Sequence, residues 1–398
     1  MSRGSTRRYL PSLVSLLLLL TAACGPEPQQ VPTTTTRDSA GVRIVENEAP
    51  LLAEDECWTV GPEASVTIGE VDGPPEYILV SPWAARLSDG RIAVLDRGDK
   101  ELRLYSADGR YLSASGREGE GPGEFRGSSS VHVVAGDTMV VWDMSLRRLS
   151  LFDSAGAFVR SVTLQESEPI QLSLGVLDRH TLLGSRLIEP MDSAGLYVGR
   201  REVLVLSSDG QAKVVVDTIH EPRHSGDRMM TFLPFGPMPF FVAGAGRAFL
   251  THGAPFEILV FQGDGSLSQV IRRAWTGEPV TEEDQQEYLD WMLSHGNRER
   301  RERFLPTWEE AARLSSHKPA ISWISPDRSG NIWVAGFAGY GPDRLKQYDV
   351  FDPAGTWVCT VQMPQELLMI TDIGEDYVLG LVLDDLEVQK INMYPLRR

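Results

Sequence analysis

Basic charge is in short supply in this sequence. Its 398 residues contain 38 lysines and arginines against 55 aspartates and glutamates, a formal net charge of −17. So acidic a chain repels the phosphates of DNA and RNA, and nucleic-acid binding is therefore a disfavoured function class. Cysteine is also scarce, with 3 residues, and their spacing does not suit a metal site.

Recognisable catalytic elements and long apolar runs are missing as well. The chain contains no Gly-x-Ser-x-Gly nucleophile element and no plausible Cys–His nucleophile. Its longest apolar stretch, residues 10–20, is shorter than the roughly 20 residues that a membrane-spanning helix needs. The composition is that of a globular protein, and the 37 glycines and 25 prolines favour many short strands over a helical bundle.

The N-terminal residues predict export. A basic head (residues 1–8) precedes the apolar stretch, and small residues follow it, so residues 1–23 are predicted to be a signal peptide. The sequence Thr21-Ala22-Ala23-Cys24 resembles the lipobox of bacterial lipoproteins, although Thr21 stands where leucine is usual. The resemblance implies cleavage before Cys24 and acylation of its thiol, with the membrane as a partner. The alternative is an ordinary signal peptide without a lipid.

A Pro/Thr-rich segment over residues 24–42 is predicted to be an extended tether. The chain is therefore predicted to be a lipoprotein that is anchored to a membrane and faces the periplasm or the cell surface. Outside the cytoplasm the remaining pair, Cys57 and Cys359, has two alternatives, a disulfide or two free thiols.

A repeated hairpin runs through the rest of the chain. Alternating apolar and polar residues surround a glycine turn, and a large apolar residue stands four positions before that glycine. The copies lie at 102–112, 149–159, 204–210, 258–265 and 349–357, with a partial sixth at 391–394. A turn that enters a buried strand precedes each copy, and the turn glycines of neighbouring units lie 46 residues apart (Gly90 and Gly136) or 44 (Gly330 and Gly374). Six units of about 40–45 residues predict an all-β, six-bladed propeller with four-stranded blades.

The first unit, with Asp89-Gly90-Arg91-Ile92-Ala93-Val94-Leu95-Asp96-Arg97 and Leu102-Arg103-Leu104-Tyr105, resembles the NHL-type six-bladed β-propellers. The resemblance covers residues 43–398. Within this class, the sequence is similar to the six-bladed propeller lipoproteins of environmental bacteria. The last unit lacks one strand, and the resemblance implies that an N-terminal strand, for which 58–69 is the best supply, closes the ring.

One segment, residues 280–318, breaks the repeat and is predicted to be a helical insert between blades four and five. Thr281 and Asp284 form a capping-box pattern, and Tyr288, Trp291 and Met292 share one helical face. The first helix is expected to end at Gly296, and a second capping box is expected to start a helix at Thr307. The basic run 298–303 between them has two interpretations, a site for an acidic partner or a solvated face with Arg–Glu pairs.

Candidate binding residues lie in the loops expected on the top face, which carries the connections between blades. They are ionisable residues for which solvation is the competing explanation: Asp96, Arg97, Asp143, Arg147, His220, His224, His252 and Arg344. Pro222 lies between His220 and His224 and argues against a helical metal motif there. No residue is assigned a catalytic or metal-binding role.

Two functions remain open. The first is a monomeric, lipid-anchored scaffold without a cofactor, which binds a protein, peptide or glycan through its top face. The second is a propeller enzyme, a lyase or lactone hydrolase, that uses a divalent ion such as calcium in the central channel. Lactonase-type propellers use asparagine with acids to hold the metal, and the 4 asparagines here, Asn47, Asn297, Asn331 and Asn392, weaken that alternative.

Overall fold

A computed structural model describes residues 1, 4, 33–164, 170–171, 175–178, 181–188, 195–207, 212–225, 230–294, 298–340, 346–384 and 386–398. The chain divides into two units, Met1–Pro32 and Thr33–Arg398. Cys24 and the signal peptide, apart from residues 1 and 4, lie outside the described residues. Among the helices of the described part, none is long and apolar enough to cross a membrane.

Six sheets form the propeller, one for each blade. The strands before the first blade are β1 (Thr34–Ser39), β2 (Val42–Asn47), β3 (Thr59–Val60) and β4 (Val66–Ile68). Blade one contains β5 (Trp83–Arg86), β6 (Ile92–Asp96), β7 (Glu101–Tyr105) and β8 (Tyr111–Ser115). Blade two contains β9 (Ser128–Val134), β10 (Thr138–Asp143), β11 (Arg148–Phe152) and β12 (Phe158–Thr163).

Blade three is the most irregular sheet of the ring. It contains β13 (Ile170–Gln171), β14 (Val176–Asp178), β15 (Thr181–Leu187), β16 (Gly195–Ser207), β17 (Ala212–Ser225) and β18 (Met230–Phe232). Blade four contains β19 (Phe240–Gly244), β20 (Arg247–Thr251), β21 (Glu257–Gln262) and β22 (Leu267–Arg273).

The last two blades follow the helical insert. Blade five contains β23 (Ile321–Pro326), β24 (Ile332–Gly336), β25 (Gln347–Phe351) and β26 (Trp357–Gln362). Blade six contains β27 (Leu367–Ile373), β28 (Tyr377–Leu383) and β29 (Gln389–Arg397). The predicted all-β, six-bladed architecture is confirmed.

The repeat pattern accounts for the blades. The glycine turns predicted at Gly109, Gly156, Gly265 and Gly355 have φ angles of 84° to 88°, a region that favours glycine. The apolar residue four positions earlier is buried in each copy, as at Tyr105. Six clusters of buried apolar side chains fill the six spaces between neighbouring blades. Each blade is therefore stabilised mainly by its two neighbours.

The ring closes as the resemblance to NHL-type propellers implies. The strands β3 and β4 pair antiparallel with β29, with Val60 opposite Leu396 and Ile68 opposite Ile391. Ile68 is fully buried in the cluster between blades six and one. One blade is thus assembled from two distant parts of the chain.

The N-terminal strap, residues 33–69, covers the outer edges of three blades. The hairpin of β1 and β2 joins blade four, because β2 pairs in parallel with β22. The Leu51 and Leu52 amides then donate to carbonyls of blade five, at 2.8 and 2.9 Å. A disulfide joins Cys57 to Cys359 in β26, which resolves the alternative left open by the sequence. Residues 34–39 were expected within the tether, but threonine's β-branched side chain suits a strand once β2 provides the partner.

The helical insert consists of α1 (Glu282–Ser294) and α2 (Arg298–Ala312). The capping box is confirmed, because Asp284 N–H donates to Thr281 Oγ1 at 3.2 Å and Thr281 N–H donates to Asp284 Oδ2 at 2.8 Å. The expected second helix start at Thr307 is wrong, since α2 already begins at Arg298. The Arg/Glu-rich run 298–303, expected between two helices, has high helix propensity and forms the first turns of α2.

An aromatic cluster fixes the insert to the propeller. Tyr288 of α1 and Trp308 of α2 are buried with Phe235, which precedes blade four. Ring centroids of Phe235 lie 6.2 Å from Tyr288 and 6.0 Å from Phe337 of blade five. The insert therefore packs on the top face over blades three to five.

Candidate ligand-binding cavity

The central channel contains a cavity of about 620 Å³. Its lining comes from the innermost strands of all six blades and the turns that follow them. These are the strands β5, β9, β14, β19, β23 and β27. A cavity of this size, open to solvent and walled by rigid strands, has the dimensions of a small-molecule site.

The cavity lies towards the bottom face, which carries the turns between the first and second strands. Its lining includes the later residues of the inner strands and turn residues such as Ser88, Gly136 and Arg328. The described connections between blades, the helical insert and the loops with Asp96, Arg97, Asp143, Arg147 and His252 lie at the opposite end of the sheets. The cavity therefore opens away from the top face.

The wall is mainly apolar. Trp83 and Trp323 line it near the beginning of their strands, and small or branched residues such as Val133, Ala243 and Ile370 line the rest. Trp323 packs against Phe240 of blade four, with ring centroids 5.4 Å apart and planes inclined at 63°. This wall suits an apolar or aromatic body.

His132 is the one imidazole in the described lining. Its Nε2 lies 3.0 Å from Ser130 Oγ on the same strand. Burial lowers the pKa of His132 to about 4, and the nearby Asp372 carboxylate opposes part of that shift. The imidazole is therefore neutral at pH 7 and offers one donor and one acceptor.

An ion pair stands at the bottom rim of the cavity. The Nε and Nη2 atoms of Arg328 donate to the two carboxylate oxygens of Asp372 at 3.0 and 2.7 Å. Asp372 also accepts from the Arg86 amide at 2.9 Å and from the Tyr377 hydroxyl at 2.7 Å. Burial lowers the pKa of Arg328, but Asp372 outweighs it and the net shift is upward. The pair thus links blades five, six and one.

The described residues of the lining carry more negative than positive charge. They include four carboxylates, Asp137, Asp178, Asp327 and Asp372, and one guanidinium, Arg328. Arg398 pairs with Asp327 at 2.7 Å from outside the lining, and Asp137 accepts hydrogen bonds from the Ser88 amide and hydroxyl. Among the rim residues that the structure describes, carboxylates therefore exceed cations, which favours neutral or cationic ligands over anions.

No group of three or more His, Cys, Asp or Glu residues lies close enough to hold a metal ion in the part of the chain that the structure describes. The channel carboxylates belong to different blades, and Asp137, Asp327 and Asp372 bond to amides, hydroxyls or guanidinium groups.

Among the residues predicted from the sequence, Asp96 and Asp143 occupy equivalent positions at the end of the second strand of their blades. Each is fully buried. Asp96 accepts from the amides of Val80, Gly98 and Asp99 and pairs with Arg103 at 3.2 Å. Asp143 accepts from the amides of residues 126, 127 and 146. Both carboxylates hold top-face loops in place.

Two further predicted residues bond between blades. The Arg97 guanidinium donates to the Ser81 carbonyl and, at 3.5 Å, to the Ser129 carbonyl of blade two. His252 Nε2 lies 3.1 Å from Asp217 Oδ2 of blade three. The Asp217 hydrogen bond raises the pKa of His252, against the lowering effect of burial. These contacts join neighbouring blades at the top face.

The remaining predicted residues do not form one site in the described structure. Arg147 has a positive φ of 49° and its carbonyl accepts from the Leu164 amide. His220 is exposed on β17, opposite Arg200. The His224 side chain and the whole of Arg344 lie outside the described residues. The predicted set therefore stays a prediction.

Sequence reasoning missed the channel residues Trp83, His132, Trp323, Arg328 and Asp372. The turns next to Arg328 and Asp372 were identified through Gly330 and Gly374, but only as markers of the repeat. One signal was present: in the aligned repeats, polar residues such as Arg328 and Asp372 stand where an inner strand meets its turn. A ring places those positions together around the axis.

The strand pairing defines this protein as a six-bladed β-propeller. No protein-family model matches the chain, and no curated protein matches it. Among solved structures it is similar to a Bacteroides fragilis protein provisionally described as exported, at 14% identity and a TM-score of 0.48 over 89% of this chain and 99% of that one. A DUF4221 family member from Bacteroides vulgatus is 9% identical, with a TM-score of 0.45 over 86% and 99% of the two chains.

A Xanthomonas campestris gluconolactonase is 12% identical, with a TM-score of 0.38 over 85% of this chain and 88% of that one. At these identities and TM-scores, none of the three similarities bears on the activity of this chain.

Proposed function

We propose that this protein is an exported, lipid-anchored propeller that binds a small neutral or cationic organic molecule in the central channel, without transforming it. The observation that carries the proposal is the 620 Å³ cavity, built by all six blades from apolar walls with a few polar groups. The proposed binding site is therefore the channel and not the top face. Four of the top-face candidates are engaged in bonds within or between blades, namely Asp96, Arg97, Asp143 and His252.

The polar groups define the chemistry of the ligand. An aromatic or aliphatic body would lie against Trp83 and Trp323, while a hydrogen-bonding group would reach the neutral His132. The excess of carboxylates at the bottom rim attracts an amine and repels an acid.

Export and anchoring rest on separate observations. The disulfide between Cys57 and Cys359 is typical of an oxidising compartment. The basic head, the apolar stretch and the Cys24 lipobox pattern support an acyl anchor at Cys24. The enzyme alternative with a channel metal gains no support from the described residues, which provide no cluster of metal ligands.

The test uses two fluorescent probes that differ in charge. N-phenyl-1-naphthylamine is neutral, and 8-anilino-1-naphthalenesulfonate carries the same rings with a sulfonate. We expect saturable, one-site binding of the neutral probe, at least about tenfold tighter than that of the sulfonate. Tighter binding of the sulfonate would contradict the proposed ligand class.

A channel-filling variant locates the probe. Ser325→Trp adds an indole at a half-buried lining position, and Ser39→Trp adds the same group on the exposed strand β1. Binding of the neutral probe should be lost in Ser325→Trp and kept in Ser39→Trp, with both variants showing cooperative melts. Equal binding by both variants would overturn the proposal.

A further inference from the structure

Two neighbouring loops on the top face expose apolar side chains. The first loop, residues 69–82, connects β4 of blade six to β5 of blade one. The second, residues 383–390, contains the turn between β28 and β29 of blade six. Four large apolar residues of these loops, here called the six–one patch, are 37–73% exposed: Ile78, Val80, Leu383 and Leu386.

The two loops are fixed side by side. The Ser81 amide of the first loop donates to Gln389 Oε1 of the second at 2.5 Å. The backbones also touch, since a Cβ at Gly69 would lie 2.8 Å from the Gln389 carbonyl oxygen. The Glu70 amide donates to the Tyr77 carbonyl at 2.9 Å and closes the first loop on itself. A surface that is ordered before binding loses less entropy when a partner docks.

The first loop alternates between core and solvent. Leu79 is buried in the cluster between blades six and one, with 6% of its surface exposed. Its neighbours Ile78 and Val80 point away from that cluster and are 42% and 49% exposed. Leu79 therefore anchors the loop, and the other two remain available to a partner. An exposed cluster of apolar side chains is typical of an interaction surface.

The six–one patch is separate from the central channel, because none of its four residues lines the channel cavity. It is also distinct from the ionisable residues predicted for the top face. The sequence predicted a protein or peptide partner for that face, but not through these apolar residues.

The patch lies in acidic surroundings. The two loops contain six acidic residues and one basic residue, Lys390. The neighbouring turn, residues 97–100, adds Asp99 and two cations, Arg97 and Lys100, each of which donates to a backbone carbonyl. Seven carboxylates therefore stand against three cations.

Three of these carboxylates are exposed and have no ion-pair partner: Glu70, Asp72 and Glu387. This statement covers the described residues of the chain. The Lys390 ammonium is already paired with Asp384, at 2.9 Å. A second copy of the same surface, or an anionic bilayer, would bring like charges together. A segment with lysines or arginines beside an apolar stripe complements the patch in both charge and hydrophobicity.

We propose that the six–one patch is a docking surface for a cationic amphipathic segment of a partner protein. The apolar side chains of the segment pack on Val80 and Leu386, and its basic side chains pair with the surrounding carboxylates. The partner and the channel ligand bind at separate places, so this proposal does not depend on the channel site.

The test uses two synthetic amphipathic helices and fluorescence anisotropy. One peptide is built from leucine and lysine, and the other has glutamate in place of each lysine. We expect saturable, one-site binding of the lysine peptide, at least about tenfold tighter than that of the glutamate peptide. Equal affinities, or no detectable binding of the lysine peptide, would overturn the proposal.

Apolar variants place the peptide. Val80→Thr/Leu386→Ser changes two residues of the patch, and Val159→Thr/Leu51→Ser makes the same changes at exposed residues of β12 and of the strap. Affinity for the lysine peptide should fall at least about tenfold in the first variant and stay within about twofold in the second. Equal affinities of the two variants, with cooperative melts for both, would contradict the location.

Charge variants separate local from overall attraction. Glu70→Gln/Glu387→Gln removes two carboxylates beside the patch, and Glu54→Gln/Glu375→Gln removes two exposed carboxylates elsewhere. Both variants change the net charge equally. We expect affinity for the lysine peptide to fall at least about fivefold in the first and to stay within about twofold in the second. An equal loss in both would show that the net charge of the chain attracts the peptide, and would contradict the proposal.

Two further measurements address the other occupants. One is cosedimentation of the Cys24→Ala protein with vesicles of phosphatidylethanolamine and phosphatidylglycerol, and the other is sedimentation velocity over a range of protein concentrations. We expect neither vesicle binding nor dimerisation that depends on the patch. Vesicle binding or dimerisation that is lost in Val80→Thr/Leu386→Ser, with unchanged peptide affinity, would assign the patch to a membrane or to a second copy and overturn the proposal.

Discussion

Cys57 and Cys359 are joined by a disulfide across 302 positions of sequence, with their Cα atoms 5.5 Å apart. The bond connects the N-terminal strap to the outer strand of blade five. On one side of it β2 joins blade four, and on the other β3 and β4 complete blade six. The strap is thus fixed to three consecutive blades by strand pairing and by one covalent bond.

The first prediction follows from this bond. The double variant Cys57→Ala/Cys359→Ala should be less stable to denaturant by about 2–4 kcal/mol, because the cross-link no longer restricts the unfolded chain. Wild type under reducing conditions should match the variant. An unchanged unfolding midpoint for wild type after reduction would show that the disulfide does not stabilise the fold.

Ring closure gives the second prediction. A chain that begins at Gly41 loses only β1 of the strap, whose residues are mostly exposed, and should fold. A chain that begins at Ser81 loses β2, β3 and β4, exposes the edge of β29 and should aggregate. Thermal melts and light scattering measure both effects.

A third chain separates closure from strapping. A start at Gly61 keeps β4, which pairs with β29, but removes β2, β3 and the disulfide. We expect it to remain folded, with a lower melting temperature than the chain from Gly41. Similar melting temperatures for the chains from Gly41 and Ser81 would contradict the closure by β4.

The third prediction concerns the anchor. Cys24→Ala should release the protein from the membrane fraction or leave it unprocessed, since Cys24 is the acylation point implied by the lipobox pattern. Fractionation with metabolic palmitate labelling measures this, and Cys57→Ala serves as a matched control because it removes a different cysteine. A wild-type protein that is soluble and unlabelled would exclude a lipid anchor.

The fourth prediction concerns pH and His132. Its folded pKa, about 4, lies below the ordinary value of 6.5, so unfolding takes up a proton between these values. This group therefore lowers stability as pH falls from about 6.5 to about 4, and its penalty is absent above that window. His132→Gln removes the penalty, so its unfolding free energy relative to wild type should rise as pH falls through the window. A difference that is independent of pH would contradict the lowered pKa.

Binding of the neutral probe should not depend on pH while His132 stays neutral. Because His132 is neutral down to about pH 5, channel binding of the neutral probe should be constant from pH 6 to 8. Loss of binding on acidification within that interval would show that the imidazole titrates at its ordinary value.

Local patterns made the blades predictable. A hairpin such as 102–112 is decided by neighbouring residues, because alternation and a turn glycine specify it without distant partners. Counting strands showed that the last blade is one strand short, and the resemblance to NHL-type propellers implied that an N-terminal strand completes it. The capping box at Thr281 is local too, and it was predicted with its partner Asp284.

The strap and the channel site depend on contacts between distant residues. Thr34–Ser39 forms a strand because β2 pairs with β22, more than 200 positions away, and the Thr-rich sequence alone resembles a linker. The channel lining collects Trp83, His132 and Asp372 from blades one, two and six. Each of these residues has an ordinary local context, and the closed ring brings them together.

The most direct test of the channel site is a crystal structure of the protein with N-phenyl-1-naphthylamine. The proposed function predicts density for the probe in the central channel, with its rings against Trp83 and Trp323 and its amine directed towards His132. Density only at the aromatic cluster of the helical insert or on the outer strands, with a channel that holds solvent alone, would contradict it.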